Sequence, residues 1–144
     1  MRTVLRTGLA GTAAVCLSLV TGTAHATPPG PGVSGKVIAQ TTVDGKDYIL
    51  REITVPAGQS TGWHYHDGTL YALVKEGTLS HFDSTCTADG VYRAGNTLTE
   101  PAGPDHVHIG RNLGTVPLVL DVLYVLPHGA PFSEDAANPG CDFQ

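Results

Sequence analysis

Apolar residues recur at every second position along several short stretches of this chain. After Lys36, Val37 and Ile38 lead into Tyr48-Ile49-Leu50-Arg51-Glu52-Ile53-Thr54-Val55, followed by Leu70 to Val74 and Leu118 to Leu126. Each run is rich in β-branched or aromatic residues and bounded by Gly, Pro or Asp, which predicts strands. Beyond the N-terminal region, no stretch keeps a helical period for three turns without a breaker. The run Leu118-Leu126 is apolar on both faces apart from Asp121, as expected of a central strand in a closed or sandwiched sheet. Many short strands at this spacing predict an all-β sandwich or barrel, and no internal repeat is present. The tail, Pro131 to Gln144, carries only a weak pattern.

The N-terminus follows a different rule. Arg2 and Arg6 precede a mostly small and apolar stretch from Thr7 to Val20, and Ala24-His25-Ala26 supplies a small-x-small sequence. A basic region, an apolar region and a cleavage site in that order predict a signal peptide over residues 1–26. A membrane anchor needs a longer apolar run of about 20 residues, and a lipid anchor on Cys16 lacks the small residue expected after it. Cleavage after Ala26 removes 26 of 144 residues, leaving 118, and takes the net charge from −5 to −7 as Arg2 and Arg6 depart. A secreted product follows, with no membrane association after cleavage. Residues 27–35 begin Thr27-Pro28-Pro29-Gly30-Pro31-Gly32 and predict an extended, solvated linker. One domain over residues 36–144 remains.

Composition narrows the function. Eight Lys and Arg against thirteen Asp and Glu, with no basic run, argue against a nucleic-acid surface. Eighteen Gly and ten Pro are too many for a helical bundle. Removing the leader leaves Cys86 and Cys141, an even pair in an exported chain, which predicts a disulfide. Neither has a Cys or His neighbour at ligand spacing.

Six histidines remain, four of them in two close pairs: His64-Tyr65-His66 and His106-Val107-His108. On a strand, positions i and i+2 share a face, so each pair can present two imidazoles to one ion. Gly58 lies six positions before His64, and Gly77 eleven after His66. Pro101, Gly103 and His106 follow Gly95 at offsets of six, eight and eleven.

In these spacings the chain resembles the cupin superfamily, whose motifs run G-x5-H-x-H-x3-4-E-x6-G and G-x5-P-x-G-x2-H-x3-N. The match covers roughly residues 50 to 127, with seventeen residues between Gly77 and Gly95. The resemblance implies an antiparallel β-barrel of jelly-roll type with a site in its mouth. It also implies a divalent metal (Fe, Ni, Cu, Mn or Zn) on His64, His66 and His106, and a homodimer through sheet contacts. The sequence departs from the pattern twice. Leu70 occupies the glutamate position, and Gly110 the asparagine position, with Asn112 two residues later.

Three neutral imidazoles suit these transition metals better than Mg or Ca. A three-His set resembles that of cysteine-dioxygenase-like thiol oxygenases. Lacking a carboxylate, it leaves the ion's charge less neutralised and favours an anionic substrate or a polarised water. Two residues could make up for Leu70: His108, by period-two geometry with His106, or Glu100, leaning in from a neighbouring strand. Trp63 and Tyr65 are expected to face away from the histidines into packing. Tyr71 could line the pocket as a proton donor, His81 could reach the mouth, and Arg111 could pair with a substrate carboxylate. For each of these three, an ordinary structural role competes. His128 reads as a loop residue.

No nucleophile elbow, phosphate-binding loop or H-E-x-x-H motif occurs. Two functions from different classes follow. One is a secreted, metal-dependent, dioxygenase-like oxidoreductase acting on a small molecule. The other is a non-catalytic cupin that binds a small molecule or a metal.

Overall fold

In the computed structural model, residues 26–144 are described. The expected leader, apart from Ala26, lies outside them. Ten strands follow in order: β1 (Ser34–Val43), β2 (Lys46–Val55), β3 (His64–Tyr65), β4 (Thr69–Glu76), β5 (Thr78–Asp83), β6 (Ala88–Arg93), β7 (Thr97–Glu100), β8 (His108–Arg111), β9 (Leu118–Pro127) and β10 (Glu134–Asp135). One 3-10 turn, Pro104–His106, separates β7 from β8.

The strands form two five-stranded antiparallel sheets, ordered β1-β2-β9-β4-β7 and β10-β3-β8-β5-β6. The all-β jelly-roll expectation holds, although no ladder closes the two sheets into a continuous barrel. The apolar run Leu118 to Leu126 is β9, and it sits at the centre of the first sheet, between β2 and β4. Its inward face, Leu118, Leu120, Val122, Tyr124 and Leu126, is buried. With Val55, Leu70, Val74 and Leu79 these residues form the core between the sheets. β1 differs, being exposed along its whole length at the sheet edge.

Turn chemistry sets the register. Asp44 and Gly45 both take positive φ and join β1 to β2 by the tight hairpin that such a pair favours. Gly77 joins β4 to β5 at φ 76°, and a Cβ there would lie 2.6 Å from the Pro117 carbonyl oxygen. Only glycine fits that corner.

Within residues 27–35, Pro28, Pro29, Pro31 and Gly32 are exposed as expected of a linker, but two points are tied to the fold. Thr27 is buried, its amide donates to the Ala136 carbonyl, and its hydroxyl accepts from the Trp63 amide at 2.6 Å. Gly30 donates to the Ser60 carbonyl. Buried amides and carbonyls need partners, and the proline-rich segment finds them on the fold.

Cys86 and Cys141 form a disulfide spanning 55 residues. Closing a loop of that length contributes about 4 kcal/mol on the chain-entropy view. It anchors a tail in which Phe143 stacks on Trp63, with ring centroids 6.0 Å apart, and packs tilted against Phe82 at 4.8 Å. Trp63, just before β3, is fully buried and faces this packing. No helix among the described residues is long and apolar enough to cross a membrane.

Candidate metal centre

The second sheet brings four imidazoles together. His64 opens β3 and stands directly opposite His108, which opens β8. His66 follows one residue beyond β3, and His81 lies on β5. All four are buried. Ring centroids are 4.4 Å apart for His64 and His108, 4.8 Å for His64 and His66, and 4.8 Å for His81 and His108. Single ligand atoms of His64, His66 and His108 all lie within 4.8 Å of one another, as do those of His81, Glu100 and His108.

His106 is not in this cluster. The Pro104–His106 segment is a 3-10 turn rather than a strand, so His106 and His108 do not alternate as β residues, and His106 stays exposed. Its contribution is a backbone carbonyl, which meets Nδ1 of His108 at 2.7 Å. His108 therefore takes the position expected of His106. The sequence held a signal for this, because His108 and Asn112 have the H-x3-N spacing that His106 lacks. Two extra residues after Gly103 account for the apparently late asparagine. Asn112 is itself structural: it donates to the Val55 and Val116 carbonyls and accepts from the Gly114 amide.

The missing carboxylate comes from the other sheet. Leu70 on β4 pairs with Glu100 on β7, so Glu100 enters the cluster from the strand beside the motif position. Its carboxylate lies 3.2 Å from His66 Nε2, 3.5 Å from His108 Nε2 and 3.5 Å from His81 Nε2. The two candidates to make up for Leu70 are thus both present, with different duties.

Hydrogen bonds on the far side of each ring fix the tautomers. Nδ1 of His64 donates to the Gly62 carbonyl at 2.9 Å, and that of His66 to the Phe132 carbonyl at 2.7 Å. A carbonyl only accepts, so each Nδ1 must carry the proton, and in a neutral ring Nε2 keeps a bare lone pair. The Nε2 atoms of His66, His81 and His108 are buried and make no directed hydrogen bond. Burial, together with the neighbouring His108 and His66, pushes the His64 pKa down to about 3, so it is neutral at ordinary pH. Burial alone would raise Glu100, but its contacts with His108, His66 and His81 outweigh that and hold it well below the usual carboxylate range. Glu100 thus faces the buried Nε2 atoms of His66, His108 and His81, and a proton or a cation between them completes each contact, so the residues fit a metal.

His81 has a different partner. Its Nδ1 meets Asp89 Oδ1 at 2.6 Å. Burial pulls its pKa down, but Glu100 and Asp89 together raise it overall. The sequence leaves His81 between the mouth and an ordinary hairpin; the structure puts it at the cluster.

Two larger cavities flank the cluster, beside a small one of about 50 Å³ lined by His64, His66, Glu100 and Tyr124. One, of about 330 Å³, is lined by acidic groups including Asp83, Asp89, Glu100 and Asp105, along with His81. The other, of about 290 Å³, is lined by His64, His66, Arg51, Tyr124 and Phe132. Tyr71, considered above as a pocket residue, lies on the outer face and is 51% exposed. The inward-facing phenol is Tyr124. Arg111 is also elsewhere, stacked over Phe143 at 4.5 Å.

No protein-family model matches this sequence, and no curated protein does either. Solved structures do match. A cupin domain from Bordetella pertussis Tohama I is 21% identical over 66% of this chain and 94% of its own, with a TM-score of 0.55. An uncharacterized Klebsiella pneumoniae protein with a double-stranded β-helix domain is 20% identical over 83% of this chain and 98% of its own, with a TM-score of 0.57. KdgF from Halomonas sp. is 19% identical over 69% of this chain and 82% of its own, with a TM-score of 0.54. The chain has the cupin fold.

Proposed function

We propose that this cupin-fold chain is a secreted metalloprotein that holds one divalent transition metal on His64, His66, His108 and Glu100 and acts on a small molecule. The observation that carries the reading is the set of buried, outward-bonded imidazoles whose free Nε2 atoms meet an ionised carboxylate. Three nitrogens and one oxygen suit Fe, Mn, Ni, Cu or Zn. When bound, such an ion supplies Lewis-acid polarisation or one-electron chemistry with oxygen.

The chain's own residues do the rest. The Gly62, Phe132 and His106 carbonyls hold three rings in place through their Nδ1 atoms. Glu100 would neutralise one charge of a bound ion, and Tyr124 offers a phenol at the cavity wall. A dioxygenase-like oxidoreductase follows if oxygen and substrate both reach the ion. The same centre without turnover would be a binding protein.

Export rests on the signal-like N-terminus and is supported by the disulfide, which persists in oxidising compartments. The mature chain then begins at Thr27, whose amide and hydroxyl are both bonded to the fold, just after the bridge between Ala26 and Ala137.

Metal analysis of exported protein tests the centre. Stoichiometric metal is expected in the wild type and in His106→Ala, and only traces in His108→Ala. Equal trace metal in all three would sink the reading. With metal present, oxygen uptake against thiols, diketones and phenols separates enzyme from binder.

A further inference from the structure

Arg51 occupies an unusual place for an arginine. It lies on the inward face of β2, in alternation with Ile49, Ile53 and Val55, and it lines the cavity that His64 and His66 also line. Among the described residues, no carboxylate comes within ion-pair distance of it. Its Nε is buried without a hydrogen-bond partner, and its one polar contact is a long 3.5 Å approach of Nη1 to the Tyr124 hydroxyl.

The guanidinium is nevertheless held firmly. Its carbon sits 3.8 Å from the centroid of Phe132 and 5.5 Å from that of Tyr124. Stacking fixes the plane of the fork and leaves the Nη groups, rather than the buried Nε, to meet a ligand. Gly35 on β1 makes the space, since a Cβ there would collide with Arg51 Nη2. A half-buried, pinned and unpaired cation costs free energy unless something anionic completes it. Everything needed to hold an anion is present except the anion.

We propose that Arg51, with the Tyr124 hydroxyl, anchors the carboxylate of a small carboxylic-acid ligand whose opposite end faces the histidine cluster. The inference rests on the metal-centre reading above for what that opposite end meets. A carboxylate suits the site better than a phosphate. A single planar fork matches a planar monoanion in a bidentate pair, and no second cation lines this cavity to balance a dianion. The phenol, whose pKa is raised chiefly by burial, stays protonated and donates to the second oxygen. The flanking cavity across the cluster, walled by Asp83, Asp89, Glu100 and Asp105, would repel the same ligand.

The test uses the exported full chain stripped of metal, so that no ion can hold the carboxylate. Acetate, succinate, benzoate and the neutral isostere benzamide are titrated and followed by NMR. At least one carboxylate is expected to bind, with benzamide ~10-fold or more weaker than benzoate. Arg51→Gln should weaken carboxylate binding by ~10-fold or more, Arg51→Lys by less because it keeps the charge, and Tyr124→Phe by a few-fold. Melting curves confirm that each variant is folded, and Tyr124→Phe keeps the test open if Arg51→Gln is not. Failure of every carboxylate to bind, equal binding of benzamide, or unchanged binding in both Arg51→Gln and Tyr124→Phe would overturn the proposal. The metal content of reloaded Arg51→Gln should equal that of wild type. The two readings thus fail separately: loss of metal binding leaves the carboxylate result standing, and the converse also holds.

Discussion

The two cavities beside the histidine cluster are close in size and opposite in character. On the His81 side the walls carry Asp83, Asp89, Glu100 and Asp105, and the ring is tied to a carboxylate. On the His64 side the only charged wall residue is Arg51, and the rings are tied to backbone carbonyls. The acidic side carries the carboxylates; the basic side carries the Arg51 guanidinium. One layer of imidazoles thus separates a wall that attracts cations from a wall that attracts anions.

Removing the carboxylate between the two sides breaks the comparison most severely. Glu100→Gln deletes the only anion in the ligand set, and metal content should fall from stoichiometric to trace; full retention would remove Glu100 from the centre. Next come paired changes, one on each side. Asp89→Asn loosens His81, which contacts Glu100, and should weaken metal affinity by a few-fold while leaving carboxylate binding by the metal-free protein intact. Arg51→Gln should do the reverse. If either variant moved both readouts equally, the two sides would not be distinct.

Acid sharpens the contrast by a smaller amount. In the metal-free protein His64 has a pKa of about 3, against 6.5 for an unperturbed histidine, so between those values the unfolded chain takes up a proton that the folded chain refuses. Its contribution to stability is full above pH 6.5 and is lost as the pH falls toward 3. His81 works oppositely: its raised pKa adds stability that is full below 6.5 and is lost as the pH rises through the folded value. As the pH falls from about 8 to 6.5, metal-free wild type should therefore gain melting temperature relative to His81→Gln, and the offset should then stay constant down to about pH 4. A constant offset across the whole range would remove the raised pKa from His81.

Much of this was legible in the sequence, and the misses have physical causes. Alternation located β2, β4 and β9, because each has one face in the core. His64 and His66 were legible because the alternation survives across Tyr65. His106 misled because proline and the preceding glycine favour a turn, and a turn cancels period-two geometry. Glu100 could only be weighed as a neighbour, since cross-strand register is a long-range property that local pattern does not encode. Arg51 had a signal that went unread: a charge at a position where Ile49, Ile53 and Val55 mark the inward face. The docked segment from Thr27 was hidden by its prolines, which look the same in a linker as in a strap.

That strap also bears on the order in which the protein is built. Thr27 meets Ala136 across 109 residues of sequence, so the start of the fold waits for nearly its end. Such a contact closes a very long loop and forms late. Phe132, which supports both Arg51 and the His66 ring, arrives with the same late stretch of chain. Most of the two sheets can pair before then. The wall that gives the basic cavity its shape therefore depends on the last stretch of chain, and the His66 ring is fixed along with it.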